Sequence, residues 1–259
     1  MNRAVKYTLL SLCGGLIVVC IACSFIAGKH VRKGLRCERL EVVISDSLEN
    51  GFVSEADVKT FLDKSRVHYM GLPLDSLDLV NMEKVIDSRS AVLKSHAFVT
   101  KDGTLHIKVT QRKPVVRFQK KDGGFYADAE GYIFPLQNSY SSHVQIIDGH
   151  IPLAANSGYK GGITDPKEKE WFDKVMNLIN YMEDSRTWKD KIVQIHVAEN
   201  GDMTLIPREG KEHFIFGPPT DIEEKFEKLG MYYKAVIPEK GQDTYRSVDL
   251  RYRGQLICK

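Results

Sequence analysis

The sequence is poor in the patterns that carry chemistry. It has no G-x-S-x-G, no P-loop, no G-x-G-x-x-G and no H-E-x-x-H. Its eight histidines are scattered, and those in expected strands, His196 and His213, lack the spacing of a metal site. Asp128 and Glu130 are two apart in an expected turn, where solvation accounts for them. An excess of one charge is also missing. Lys and Arg number 37 against 34 Asp and Glu, a formal +3, and Arg3 and Lys6 supply two of that excess. A near-neutral body argues against a nucleic-acid binder, which concentrates cations on one face. Cysteine is scarce where it would matter. Cys13, Cys20 and Cys23 lie in an apolar run, and the C-x-x-C there lacks the strand-then-helix setting of a redox site. Cys37 and Cys258 stand near opposite ends of the body and are expected as free thiols, because a bridge needs Cα atoms within about 7 Å. Low-complexity tracts and long repeats are absent. No catalytic residue, cofactor site or metal site is expected.

Long apolar runs are lacking too, with one exception. Residues 7–27 contain no charge and no proline. About 20 such residues, rising ~1.5 Å each as a helix, cross a ~30 Å hydrocarbon layer. The expectation is one transmembrane helix over 7–27, with a short tail at 1–6 and a basic stem at 28–36. A cleaved signal peptide and a lipoprotein signal ending before Cys23 are the rival readings; the length of the run speaks against the first, and Cys20, standing where a branched aliphatic is expected, against the second. Arg3 and Lys6 on one side and Lys29, Arg32, Lys33 and Arg36 on the other leave the orientation open, since long domains cross largely regardless of charge.

The body begins with period-two alternation at Leu40, Val42 and Ile44, a half-buried strand. Asn50-Gly51 is a turn, Ser54 is a helix cap, and Val58, Phe61 and Leu62 share a helix face. Gly71-Leu72-Pro73 breaks the chain before a second helix around Leu79–Ser88. A hairpin follows, with Ala97 and Val99 in one strand, Asp102-Gly103 at the turn, and Leu105, Ile107 and Val109 in the other. Strand, helix, helix, strand, strand makes one small α+β domain over 37–112, with both helices on one face of a three-stranded sheet. Its short edges are open to strand addition. Pro114 marks the border.

Residues 113–259 read as a second, strand-rich domain with two helices. Asp165-Pro166-x-Glu168 opens the first, followed by Trp171, Phe172, Val175, Met176, Ile179 and Met182 on one stripe. Thr220-x-x-Glu223 resembles a capping box for the second, whose stripe runs Ile222, Phe226, Leu229 and Tyr233. Asp221, Glu223 and Glu224 read as a cluster favoured by the helix dipole. The chain closes on Val248, Leu250 and Tyr252, a bend at Arg253-Gly254, and a short strand from Gln255 to Cys258. One edge of the sheet is expected to be free there.

Three passages carry a resemblance to the FtsQ/DivIB family of bacterial division proteins. Residues 51–58 (GFVSEADV) look like the approach to the first helix of that family's POTRA domain. Residues 103–114 (GTLHIKVTQRKP) resemble the strand and proline leading into its second domain. Residues 247–252 (SVDLRY) resemble the family's closing motif, the most specific of the three. The resemblance implies a non-enzymatic scaffold of the divisome: a short cytoplasmic tail, one span of the cytoplasmic membrane, and a body in the periplasm enriched at the septum. It implies recruitment of the coiled-coil proteins FtsB and FtsL by strand addition near the end of the second domain. By matching positions, Arg251, Tyr252 and Gly254 fall in the partner-binding region, with Leu256 and Ile257 on the last strand. The chain departs from the family pattern in having only Arg253-Gly254 at the bend. Two alternatives stand beside this reading: another POTRA-bearing envelope assembly factor, although neither repeated POTRA units nor a barrel signature is present, and a membrane-tethered enzyme.

Overall fold

A computed structural model describes residues 14–23, 35–47, 50–121, 123–137, 139–156 and 158–259. The expected span at 7–27 is corrected by it. The helix described there, α1 (residues 14–23), has ten residues, about 15 Å at the usual rise. Among the described residues no helix is long and apolar enough to cross a membrane. The remainder of 7–27, the tail at 1–6 and residues 28–34 of the stem lie outside the described residues.

The chain forms two compact units. The first runs β1 (Arg39–Ile44), α2 (Glu55–Lys64), a 3-10 turn (Leu74–Ser76), α3 (Leu79–Asp87), β2 (Val92–Val99) and β3 (Thr104–Gln111). The sheet order is β1-β3-β2, with β1 parallel and β2 antiparallel to β3. Helix α2 starts where a capping box dictates. Ser54 Oγ accepts from the Asp57 N–H, and the Asp57 carboxylate accepts from the Ser54 N–H. Its Val58 and Leu62, with Met82 and Ile86 of α3, are buried with the inward residues of β3, Leu105, Ile107 and Val109. Period-two and period-3.6 patterns therefore meet in one core, as expected for the α+β domain.

One expectation for this unit needs correcting. The outer edge of β2 is not open along its length. Ser95 N–H donates to Asp87 Oδ1 (2.6 Å) and Ala97 N–H to Glu83 Oε1 (2.7 Å). Since β2 is the last strand of the sheet, α3 caps the groups that an added strand would need. Natural sheets often blunt their edges in this way.

The second unit takes in residues 50–52 and 112–259. Its strands are β4 (Pro114–Lys120), β5 (Gly123–Asp128), β6 (Ile133–Pro135), β7 (Gln145–Gly149), β8 (Ile192–Val197), β9 (Met203–Pro207), β10 (His213–Gly217), β11 (Ser247–Asp249) and β12 (Ile257–Cys258). They form one sheet in the order β12-β11-β10-β9-β8-β7-β4-β5-β6. Helices α4 (Pro166–Asp184) and α5 (Ile222–Met231) share a core with alternate residues of these strands, among them Phe118, Ile147, Ile195, Leu205, Phe214 and Val248. Asp165 caps α4 through the N–H groups of Lys167 and Glu168, and Pro166 sits at its start. A separate group of rings, Phe52, Tyr126, Phe134 and Tyr140, packs edge-on with centroids 4.7–5.8 Å apart around Phe52.

The second helix departs from the expected pattern. Thr220 and Glu223 do not form a capping box. The N-cap is Asp221, in a left-handed conformation (φ 53°), and its side chain makes no capping bond. After Met231 the helix widens into a π turn (Tyr232–Val236) and ends in α6 (Ile237–Lys240). Tyr232 is fully buried, and Tyr233, the last residue of the expected stripe, packs partly buried against the same core, its ring 6.0 Å from those of Trp188 and Phe214.

Candidate functional site

The two ends of the large sheet differ. At one end β6 is covered, because Ile133 exchanges two backbone hydrogen bonds of 2.9 Å with Gly161. At the other end lies β12, antiparallel to β11, with Val248 opposite Cys258 and Asp249 opposite Ile257. Ser247 and Lys259 exchange both N–H···O bonds (3.1 and 2.9 Å). Antiparallel pairs alternate between bonded and non-bonded, so Ile257 and Lys259 bond inward. The N–H and C=O groups of Leu256 and Cys258 therefore point away from β11. They form a row of donors and acceptors at the sheet's border, the template for an added strand.

Beside this border lies a groove of about 690 Å³. Its sheet wall is Gly254, Leu256 and Cys258. Its helix wall is a stripe at spacings of three and four, with Met231, Ala235 and Val236 at its centre and Glu224, Glu227 and Glu239 toward its ends. Met231 is 65% exposed, an apolar side chain held in water at the groove mouth. The π turn forms part of this wall. Such insertions recur at functional sites.

Two lysines of α5 hold the site together. Lys228, 8% exposed, donates to the carbonyls of Leu250 (2.6 Å) and Tyr252 (2.7 Å) and lies 3.4 Å from Glu224. Lys225, 4% exposed, donates to the Pro218 carbonyl (2.7 Å) and sits 4.5 Å over the Phe216 ring. Burial pulls the Lys225 amine below its usual value, with Asp221 opposing. Burial pushes the Cys258 thiol up, and Cys37 and Cys258 are both free. Burial also raises the phenols of Tyr232 and Tyr233, the latter to about 12.

The residues singled out by sequence separate into two groups. Tyr252, Gly254 and Leu256 are accessible: Tyr252 is 49% exposed, Gly254 turns at φ +61°, and Leu256 lines the groove. Ile257 belongs to β12 but does not line the groove. Arg251 is tied down instead. Its Nε and Nη2 donate to the two Asp249 oxygens (3.0 and 2.7 Å) and its Nη1 to Asp202 (2.9 Å). The fork holds the Asp249 carboxyl below the usual aspartate range and raises the guanidinium. Its stem crosses Gly217, where an added Cβ would come within 2.8 Å of Arg251 Cγ. That position also has φ +75°, so glycine is required twice over. Arg251 thus positions the bend. Sequence reasoning missed Lys225, Lys228, Met231 and Cys258. The recurrence of Glu224, Lys228 and Met231 along α5, at spacings of four and three, was the available signal.

Two family models match the chain. One, described as FtsQ/DivIB, C-terminal related, covers residues 113–259. The other, described as a POTRA-like domain, covers residues 35–110. No curated protein matches the chain.

Proposed function

We propose a role as a scaffold of the bacterial division machinery for this chain, which belongs to the FtsQ/DivIB family. Proteins of the FtsQ/DivIB family are generally non-enzymatic division proteins that act through protein–protein interactions. In this reading the chain links division proteins of the FtsB/FtsL type and gathers at the septum, with its folded units on the outer side of the cytoplasmic membrane.

The observation that carries the reading is the border at β12. Outward backbone groups of Leu256 and Cys258 lie beside an apolar-floored groove. An extended partner segment pairs with those groups, and its alternate side chains enter the groove. Tyr252, Gly254 and Leu256 touch the partner, Ile257 supplies the strand, and Arg251 shapes the bend. Replacing Tyr252 or Leu256 by Glu is expected to weaken co-purification of the FtsB/FtsL-type partner at least tenfold while the melting of the second unit stays within a few degrees. Undiminished co-purification contradicts the assigned edge. A fluorescent fusion that marks the whole cell rim evenly, without a mid-cell band, contradicts the division role.

A further inference from the structure

In sequence the start of α5 carries a modest excess of acid. Residues 221–228 read DIEEKFEK, with four carboxylates and two lysines. The fold sharpens that excess. Lys225 and Lys228 turn inward and spend their ammonium groups on the carbonyls of Pro218, Leu250 and Tyr252. Asp221, Glu223 and Glu227 stay exposed, and of the four only Glu224 keeps a lysine, Lys228, at 3.4 Å. The helix N-terminus accounts for Glu223 and Glu224, but Glu227 lies beyond the first turn, past the reach of that end. The groove wall facing β12 thus runs from carboxylates through Met231, Ala235 and Val236 to Glu239, with Lys240 as its one accessible lysine.

We infer that the segment added to β12 is basic and apolar: its groove-facing positions carry an aliphatic side chain over Met231 and Leu256 and a Lys or Arg against Glu227. This rests on the strand-addition reading given above and specifies the chemistry of the occupant. Alternation in a strand places side chains two apart on the groove side, about 7 Å from one another. The pattern is therefore a cation and an aliphatic residue separated by one position. Of the bases on the sheet side, Arg253 and Lys259 are exposed but do not line the groove. Arg251 is held by Asp249 and Asp202, and Lys228 is buried.

The probes are two fluorescein-labelled ten-residue peptides built on a repeating Lys-Thr-Val-Thr pattern and on the same pattern with Glu for Lys. Anisotropy titrations use the full chain. The lysine peptide is expected to bind at least tenfold tighter at low salt. The difference should shrink several-fold at 0.5 M salt, where screening reaches only about 4 Å. It should fall to less than threefold in the double variant Glu227→Gln, Glu239→Gln, which neutralises the two groove carboxylates that, among the described residues, no lysine holds. N-methylating alternate residues of the lysine peptide, in the two possible phases, should abolish binding in one phase. If the glutamate peptide binds as tightly while one N-methyl phase still abolishes binding, the charge inference is overturned and the strand-addition reading survives. If neither N-methyl phase weakens binding, the strand-addition reading itself fails.

Discussion

The ammonium of Lys228 lies 2.6 Å from the carbonyl oxygen of Leu250, so helix α5 grips the chain just before it bends toward its last strand. The Tyr252 carbonyl is the second acceptor, at 2.7 Å. Lys228→Met keeps the aliphatic stem and strands two carbonyls. The expected cost is about 1–3 kcal/mol, from leaving buried acceptors unpaired. The second unit should melt several degrees lower, and hydrogen exchange from residue 252 onward should quicken. Unchanged exchange there would show that the grip does not order β12.

The Asp249–Arg251 fork makes the bend sensitive to acid. Its hydrogen bond to Arg251 lowers the folded-state pKa of Asp249 below the unfolded value of about 3.9. The stabilisation is therefore complete above the unfolded value and is lost as pH falls through the folded one. Between pH 5 and 8 this pair contributes no slope. Below about pH 4 the second unit of the native protein should lose stability faster than that of Asp249→Asn. Parallel acid curves for the two would contradict the assignment.

In the first unit the carboxylates of Glu83 and Asp87 act as caps for β2. Replacing both by Ala should speed exchange of the Ser95 and Ala97 amides by at least tenfold and cost about 1–3 kcal/mol. The uncovered edge should also raise the tendency to self-associate, read by sedimentation. Monomeric behaviour with slow exchange would mean that the edge is protected by something else.

Phe226 lies among the rings of Tyr181, Trp188 and Phe216, at 5.1, 5.2 and 5.6 Å, and is 1% exposed. Phe226→Ala should cost about 3–5 kcal/mol in the second unit, the range for an aromatic deleted from a packed core. A loss under 1 kcal/mol, measured by denaturant unfolding, would mean that α5 is not anchored through this residue.

Much of this architecture was legible because local chemistry and burial agree. Leu105, Ile107 and Val109 alternate because one face of β3 is buried, and Ser54 starts α2 because its hydroxyl satisfies an orphan N–H. What escaped is non-local. The caps on β2 come from residues up to fourteen positions away, a distance no strand pattern encodes. The π turn escaped because it changes the helical period midway, so that Tyr232 joins the core beside the expected Tyr233. At the site, the exposed parts, Tyr252 and Leu256, were visible in the closing motif. The inward turn of Lys225 and Lys228 was not, since a lysine between acids reads as a solvated pair. The apolar run at 7–27 read as a membrane span, yet among the described residues no helix is long and apolar enough to cross a membrane.

Amide exchange at Leu256 and Cys258 tests the central claim most directly. With the full chain alone these two amides should exchange quickly, since they point away from β11, while Ile257 and Lys259 are protected. On adding the FtsB/FtsL-type partner at saturating concentration, Leu256 and Cys258 should slow by at least a hundredfold. Formation of the complex with no slowing at either amide would contradict docking at the β12 border.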